Sequence, residues 1–600
     1  SIRSLALPMP ATLRDAVRER LDQQSEAAQM LCVGLAIGRE ALDLDLLVAA
    51  TALDENVVIM AIQDLLNSGL VCERQVGSAE RFELNQRRIV DVVLEGTNPK
   101  TQVQIHLRIG GYLEDRFRGK TGTIVEALAH HFDLAQAHAK AYAYLLRAAQ
   151  KATRRTFVDE ALRHLDRALE LEPLAREHLT LDEADLRLGV LHLNRASAYY
   201  HLGRWTEGQE EALKAVHIAQ VVGDDRLMLQ AEVELALQAR RVGDLDDAED
   251  HLRKALSIST RVTDKRLRIV PRYEFGAIQW TRGDLDSARM HFIQALSDAE
   301  SFNDERSLAL GHNGLGLIAL CKGKSAEARK YFTDAITVAE RHGLMGRYVV
   351  SATNLVEIYH LTGNLRKGIE LADKVVASAR QAHHMYGTAM GLRYRALMLV
   401  DLGRLAEARE NAEESLRIQL ELGNEEEALT ARVSLLRALL SAKQIDEAQP
   451  VLDATISMLD HYDAEGYGQV VHVWQARVHA LQGEIEEAEA MLTKASELAG
   501  RRWPHQQVRT LLNSARIHRL LERPEKSAEL ATQALEIADE AGFRYYAMRA
   551  RQILIHTLDD EEVRARHIRV ARSLARSLSA NLTREDAASF LARQSIPDRS

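Results

Sequence analysis

The chain has 600 residues, more than a single hydrophobic core serves, so several domains or a repeat array are expected. Its net charge of −10 is small for this length, and no apolar run reaches about 18 residues; both features argue against a wholesale nucleic-acid or membrane partner. Nine prolines and three isolated cysteines predict a nearly all-helical, cytoplasmic protein without disulfides or a zinc knuckle. The first residue is Ser1 rather than Met, which suggests a segment of a longer protein.

Two helices and two short strands are predicted near the N-terminus. The stretch "DLDLLVAATALDENVVIMAIQDLLNSG" gives a helix, a turn at Asp54, a second helix to about Leu66 and a stop at Gly69. "LVCERQ" and "RFELN" then read as strands joined by "VGSAE", which is the order helix, helix, two-stranded wing. Residues 1–96 therefore resemble the winged-helix segment that follows the nucleotide-binding domain in signal-transduction ATPases with numerous domains, the maltose-regulator-like group. Residues 97–155, with "AHHF" and "AYLLRAAQKA", are similar to the helical bridge of these proteins.

The second helix of the predicted winged helix is the one that would recognise DNA. It offers the amides Asn56, Gln63 and Asn67, with Glu55 and Asp64 beside them and neither Lys nor Arg. Phosphate contacts require basic side chains, so DNA binding through this segment is not expected. Packing within the molecule is the favoured role.

One tripeptide suggests a phosphate-binding loop, Gly119-Lys120-Thr121. Such a loop needs a glycine five residues before the Gly-Lys pair and a strand in front of it. Position 114 is Glu114, and the preceding "VQIHLRIGGYLEDRF" reads as helix. We expect a loop between two helices and no nucleotide or other cofactor in this segment.

Three histidines raise the question of a metal site. His130, His131 and His138 place at most two rings on one helix face, and no carboxylate completes a familiar ligand spacing. No nucleophile elbow and no HExxH motif occur. We therefore predict neither a metal site nor an enzyme activity within the segment.

From Tyr199 a short phrase recurs every 40 residues, with a glycine, a small residue five positions later and an alanine seven further on. At each phrase a helix ends, the glycine takes the turn and a second helix begins, on predicted caps such as Asp244 and Asp284. One hairpin cannot bury its apolar face alone, so neighbouring hairpins must stack. The turn positions are Gly203, Gly243, Gly283, Gly323, Gly363, Gly403 and Gly483, with Lys443 in the one slot that lacks glycine.

The repeat resembles the tetratricopeptide family. "LGLIALCKGKSAEARKYFTDAITVA" follows its pattern, with Leu315 and Gly316 in the first helix, Gly323 at the turn, and Ala328 and Ala335 in the second. The period of 40 exceeds the usual 34 and is similar to the long-repeat arrays of large bacterial regulators. The predicted fold is mainly α: a winged helix, then a right-handed α-solenoid of about nine to ten hairpins over residues 156–560.

Repeats of this family imply a concave surface lined by the first helices. Counting back from the turns predicts which side chains face it, and three arginines there could bind carboxylates or phosphates. The alternative is that they pair with acids of adjacent helices or lie over the repeat core. The candidate binding residues are Tyr273, Trp280, Asn313, Glu357, His360, Arg393, Arg437 and Arg477.

Residues 561–600 are predicted to be C-terminal capping helices. Thr583 is the expected cap of the last one, with Asp586 three residues on. A basic contact face for an acidic partner is the alternative. The helix from Val563 is predicted to place Arg566, Arg569, Arg572 and Arg576 on one face and Val563, Val570, Leu574 and Leu578 on another.

Two classes of function follow. In the first, the chain is the sensor or scaffold arm of a larger bacterial regulator. It binds a protein, peptide or small effector on the concave surface and relays this through the winged helix to a nucleotide-binding domain outside the segment. In the second, it is a freestanding adaptor that assembles protein partners. Neither class involves a membrane.

Overall fold

The computed structural model describes residues 11–38, 41–76, 79–154, 157–202, 204–382, 384–459, 467–498, 503–594 and 596–597. The chain forms two compact units, which divide between Arg195 and Ala196. The predicted turn residue Gly203 lies outside the described residues, as do the first ten residues of the predicted winged helix.

Where the structure describes it, the first unit is helical apart from one small antiparallel sheet of two strands, in which Val71 pairs with Leu84 and Arg74 with Arg81. Leu42 forms an isolated bridge to Phe82 beside this sheet. Both strands and the helices before them lie where the sequence predicts. The elements are α1 (Ala11–Asp22), α2 (Glu26–Gly38), α3 (Leu44–Thr51), α4 (Glu55–Asn67), β1 (Val71–Val76), β2 (Ala79–Leu84), α5 (Arg87–Gly96), α6 (Pro99–Arg116), α7 (Val125–Leu134), α8 (His138–Arg154), α9 (Val158–Arg176) and α10 (Leu181–His201), whose last turn belongs to the second unit.

The N-terminal helices and strands share one hydrophobic core. Leu31 of α2, Leu47 of α3 and Leu65 of α4 have no exposed surface and pack in one cluster with Phe82 of β2. Burying such side chains stabilises the fold by about 1.5–3 kcal/mol each. Asp54 caps α4, and its carboxylate accepts a hydrogen bond from the Asn56 backbone at 3.0 Å.

The second unit is a stack of helical hairpins. Asp244 and Asp284 cap the second helices of their hairpins as predicted, accepting backbone hydrogen bonds at 3.0 and 3.1 Å. Its helices are α11 (Trp205–Val222), α12 (Asp225–Arg241), α13 (Leu245–Ile258), α14 (Ile269–Thr281), α15 (Leu285–Ser301), α16 (Glu305–Cys321), α17 (Ser325–Arg341), α18 (Met345–Thr362), α19 (Leu365–Gln381), α20 (Met385–Leu402), α21 (Leu405–Glu421), α22 (Glu425–Ser441), α23 (Ile445–Leu459), α24 (Tyr467–Gln482), α25 (Ile485–Glu497), α26 (Pro504–Leu520), α27 (Pro524–Glu540), α28 (Arg544–Thr557), α29 (Glu561–Ser579) and α30 (Arg584–Ala592).

The turns of the hairpins share one backbone conformation. Each described turn glycine of the 40-residue series has a positive φ, for example 88° at Gly243 and 84° at Gly483. Lys443, in the slot without glycine, adopts a φ of 61°, and Glu522 in the shorter last repeat adopts 57°. A left-handed residue therefore occupies every described turn of this series, and glycine is the residue that takes this conformation without strain.

Small residues allow the two helices of a hairpin to approach closely. Ala288 and Ala328, five positions after their turns, have no exposed surface. A Cβ on Gly316 would lie 2.5 Å from the ring of Phe332, which is also fully buried. The predicted spacing of small residues thus marks the contact between the helices.

The stack of hairpins also curves back on itself, which the repeat pattern does not predict. The Ser325 hydroxyl, at one hairpin turn, donates a hydrogen bond of 2.9 Å to the carbonyl of Ala541, 216 residues later. Arg366 donates to the carbonyl of Asn581 at 3.2 Å. In addition, α18 packs against α28. The C-terminal hairpins and tail therefore pack against the middle of the same unit.

The tail is helical as predicted, and Thr583 accepts a hydrogen bond from the Asp586 backbone at 3.1 Å. Its predicted apolar face is partly wrong, because Val563 and Val570 are 41% and 36% exposed. The buried face of α29 keeps the predicted Leu578 but otherwise consists of Ile568, Ala571 and Ala575. This face is rotated because α29 contacts both α28 and the turn at Gly363, where Leu578 packs.

Candidate functional site: the inner surface of the second unit

Six first helices of successive hairpins surround a common interior. Helices α18, α20, α22, α24, α26 and α28 pack side by side in this order, and α28 returns to contact α18. Their facing side chains form what we call the inner surface. Because the six helices come from residues 345–557, groups far apart in the sequence meet there.

Asp401 is the first organising group of the inner surface. Its carboxylate accepts hydrogen bonds from one guanidinium nitrogen of Arg437 at 2.8 and 2.9 Å and from Nε2 of His360 at 2.6 Å. Burial opposes ionisation of Asp401, but Arg437 and the hydrogen bond from His360 outweigh it and hold its pKa well below the usual range. The carboxylate is therefore charged and fully satisfied.

Glu357 forms the second ion pair, with Arg509. Burial raises the pKa of Glu357, but Arg509 and then His360 outweigh it and hold the pKa at about 2. The Arg509 Nε also donates to the Tyr546 hydroxyl at 2.8 Å. This pair joins α18 to α26 across the interior, 152 residues apart in the sequence.

His360 connects the two ion pairs. Burial lowers its pKa below the usual value despite the hydrogen bond to Asp401, so the ring is neutral at pH 7. With Nε2 donating to Asp401, Nδ1 is an acceptor, and it lies 3.4 Å from an Arg509 nitrogen and 3.5 Å from the Tyr546 hydroxyl. The Tyr545 ring packs against His360 at 5.1 Å between centroids. The arrangement is a fixed polar network without an exposed nucleophile or base.

The structure brings four of the predicted binding residues together: Glu357, His360, Arg437 and Arg477. Arg437 pairs with Asp401 of the adjacent helix α20, which is the alternative to ligand binding given for these arginines. Arg477 instead lies over the face of Trp474, with its guanidinium carbon 5.2 Å from the ring centroid.

The other predicted residues lie outside this network. The Asn313 amide donates to the Tyr273 hydroxyl at 3.4 Å, and its carbonyl oxygen accepts from Ser351 at 3.2 Å. The Trp280 indole on α14 donates to the Cys321 sulfur at 3.1 Å, on the first helix α16 of the next hairpin. Arg393 stacks on Tyr394 at 4.5 Å and lies 3.8 Å from Glu427.

Several inner-surface residues were missed by counting back from the turns. Asp401 lies only two residues before its turn, whereas the positions counted lie thirteen, ten, six and three residues before each turn. Tyr545 and Tyr546 lie after the last turn of the series, and Arg509 lies thirteen residues before Glu522, the turn of the repeat that is one residue short. Arg516 had a usable signal, because it lies six residues before Glu522, as Arg437 and Arg477 lie six before their turns.

The Gly-Lys-Thr tripeptide and the histidines of the first unit lie in loops and helices of the fold. Residues 119–121 connect α6 and α7, and Glu114 lies in α6, where it accepts hydrogen bonds of 2.6 Å from both Lys140 and Tyr144. His131 Nδ1 lies 3.0 Å from His106 Nδ1. Throughout the described ranges, no cluster of three His, Cys, Asp or Glu side chains has the arrangement of a metal site. None of the helices that the structure describes is both long and apolar enough to cross a bilayer.

The repeats also match a known family. The tetratricopeptide repeat model matches residues 187–261, 227–301 and 470–540. The resemblance inferred from the glycine and alanine spacing is thereby confirmed for these segments, and the solenoid arrangement of helical hairpins agrees with it. No curated protein matches the sequence.

The chain is also similar to several solved structures, among them the following three. A Rap protein in complex with competence and sporulation factor is 15% identical over 59% of this chain and 98% of its own, with a TM-score of 0.45. A signal-transduction ATPase with numerous domains and a tetratricopeptide repeat sensor, from Pyrococcus horikoshii, is 15% identical over 82% of this chain and 65% of its own, with a TM-score of 0.42. The apo quorum sensor NprR from B. thuringiensis is 16% identical over 59% of this chain and 99% of its own, with a TM-score of 0.40.

Proposed function

We propose that this chain is the non-catalytic sensor and scaffold arm of a larger bacterial signalling or transcriptional regulator, and that the inner surface binds its ligand. The observation that carries the proposal is the convergence of ionised and aromatic side chains from six repeats on one interior. An unpaired charge buried in a helical stack lowers the free energy of unfolding by several kcal/mol. A set of paired and partly accessible charged groups suits recognition of a polar ligand.

Accessibility narrows the class of ligand. His360 has no exposed surface, and the side chains of Glu357 and Asp401 are 8% and 6% exposed. Only the arginines reach further out, with Arg509 at 32% and Arg437 at 22%. A folded domain cannot contact groups so deeply placed, so we infer a peptide segment or a small effector as ligand.

The first unit supplies the relay in this proposal. The order α2, α3, α4, β1, β2, with Leu42 bridging to Phe82, supports the interpretation of residues 1–96 as a winged helix. On α4, Val57, Ile59 and Met60 are 40%, 37% and 66% exposed, and the helix carries no basic residue. An apolar, non-basic face suits packing against a protein domain rather than DNA. We infer that the partner is a nucleotide-binding domain outside these residues.

Selection from a library of random short peptides tests the ligand-binding surface. Peptides selected on the whole chain should lose affinity on Tyr394→Ala, which reshapes the inner surface beside Arg393. They should retain affinity on Tyr331→Ala, a matched change on the second helix α17. Peptides that bind both variants equally would favour a freestanding adaptor that uses another surface.

Hydrogen exchange tests the relay. With a selected peptide bound, backbone amides of α3, α4 and the two strands should change their exchange rates, although the peptide contacts the second unit. Unchanged exchange throughout residues 41–96, with full protection of the inner surface, would limit the function to binding without relay.

A further inference from the structure

Three arginines occupy equivalent places in three successive repeats. Arg437, Arg477 and Arg516 each lie six residues before a left-handed turn residue, on α22, α24 and α26. These helices pack side by side, and α28, which packs against α26, adds Arg549. The repeat geometry therefore stacks guanidinium groups along one side of the inner surface.

These arginines differ in what balances their charge. Arg437 is paired with Asp401, and Arg509 is paired with Glu357. Among the residues that the structure describes, no carboxylate lies within ion-pair distance of Arg477, Arg516 or Arg549. The nearest polar contact of Arg549 is the amide oxygen of Gln594 at 3.5 Å. The Arg477 guanidinium lies over the face of Trp474.

Burial and neighbouring arginines both act against the charged form of these groups. Burial, together with Arg437 and Arg549, lowers the pKa of Arg477 to about 10. Burial, then Arg549 and Arg477, lowers the pKa of Arg516 well below its usual value. Burial also lowers the pKa of the neighbouring His505 to about 4, so this ring adds no charge at pH 7. Arg437, Arg477, Arg509, Arg516 and Arg549 thus face the two carboxylates of Asp401 and Glu357, which leaves an excess of about three positive charges among these groups.

We propose that Arg477, Arg516 and Arg549 bind a compact polyanion, a ligand with about three negative charges on closely spaced phosphate or carboxylate oxygens. Guanidinium groups bind both kinds of oxygen through paired N–H donors. Like charges held together without an anion destabilise the folded chain, whereas a bound polyanion satisfies all three at once. Trp474 and Tyr545 border the group with aromatic surface, which suits a ligand with an apolar or ring portion. The inference rests on the proposed function, because it assigns the ligand class of the same inner surface.

Calorimetry on the whole chain tests this site, with inorganic pyrophosphate and citrate as probes and acetate as the singly charged control, all at constant ionic strength. At least one polyanion should bind and raise the unfolding temperature, while acetate does neither. Pyrophosphate binding without citrate binding identifies a phosphate ligand, and the reverse identifies a carboxylate ligand.

Variants locate the site. Arg477→Gln and Arg516→Gln should each weaken polyanion binding about tenfold or more, because each removes a charge-assisted contact. Arg519→Gln, an exposed arginine on the same helix α26, should leave it unchanged. Without polyanion, both inner variants should unfold at or above the wild-type temperature, because they relieve repulsion between like charges.

Three results would overturn the proposal: no binding of either polyanion, equal binding by wild type and Arg516→Gln, or a lowered unfolding temperature of the anion-free variants. The last result would mean that the arginines are paired within the protein. Peptide binding that depends on Tyr394 but survives Arg516→Gln would refute the polyanion site and leave the proposed function standing. If peptide binding does not depend on Tyr394 while polyanion binding is intact, the proposed function is refuted and the polyanion site stands.

Discussion

Replacing Gly316 by alanine tests the close approach of helices within a hairpin. The new Cβ would lie 2.5, 2.7 and 3.0 Å from three ring carbons of Phe332, which has no exposed surface and therefore no free space to move into. Overpacking of this kind costs about 1–3 kcal/mol, and the short contacts point to the upper end. Alanine regains about 1 kcal/mol of helix propensity. The expected net loss in the free energy of unfolding is about 2 kcal/mol.

Gly346→Ala is the matched control. Gly346 also lies in a first helix, α18, but the nearest atom to its new Cβ is His384 Nε2 at an ordinary 3.8 Å. This variant should keep or gain stability, by up to about 1 kcal/mol. Urea unfolding followed by circular dichroism under identical conditions compares the two. If Gly316→Ala is as stable as Gly346→Ala, the hairpin packing described here is wrong.

Further outcomes follow from the inner surface, the tail and the first unit. The pKa of Glu357 is depressed to about 2 from an unfolded value of about 4.3, so the ionised carboxylate stabilises the fold fully above about pH 4.3 and less as the pH falls towards 2. Glu357→Gln should therefore be less stable than the wild type at pH 7. In urea unfolding, its free energy of unfolding should fall less steeply below about pH 4 than that of the wild type. Phe590→Ala, at a fully buried site of the tail, should cost about 3–5 kcal/mol and increase binding of a hydrophobic dye, whereas charge reversal at exposed Arg569 should stay within about 0.5 kcal/mol; equal effects would refute the capping role. ATP should give no heat of binding with the wild type or with Lys120→Ala, and micromolar binding abolished by that variant would contradict the loop assignment.

The register of the hairpins was predictable because it depends on local chemistry. A left-handed turn residue and a small residue five positions later are needed in every repeat, and both are visible in the sequence. Lys443 shows the strength of this constraint, since it takes the turn conformation without being glycine. The caps at Asp244 and Asp284 are equally local.

The partners across the interior were not predictable in the same way. The contact of Arg509 with Glu357 and that of Tyr546 with His360 depend on the small rotation between successive hairpins, summed over several repeats. No spacing in the sequence encodes that rotation. The same curvature turns α29, so Val570 is exposed although the helical pattern predicts it buried.

The central claim, that distant repeats meet at one inner surface, is tested most directly by a double-mutant cycle on Glu357 and Arg509. Unfolding free energies of Glu357→Gln, Arg509→Gln and the double variant give the coupling between residues 152 positions apart. The exposed pair Arg417 and Glu421 on α21, joined at 2.6 Å, is the control and should couple by under about 0.5 kcal/mol. A coupling of about 2–3 kcal/mol for Glu357 and Arg509 is predicted. A coupling no larger than that of the control pair would contradict the account.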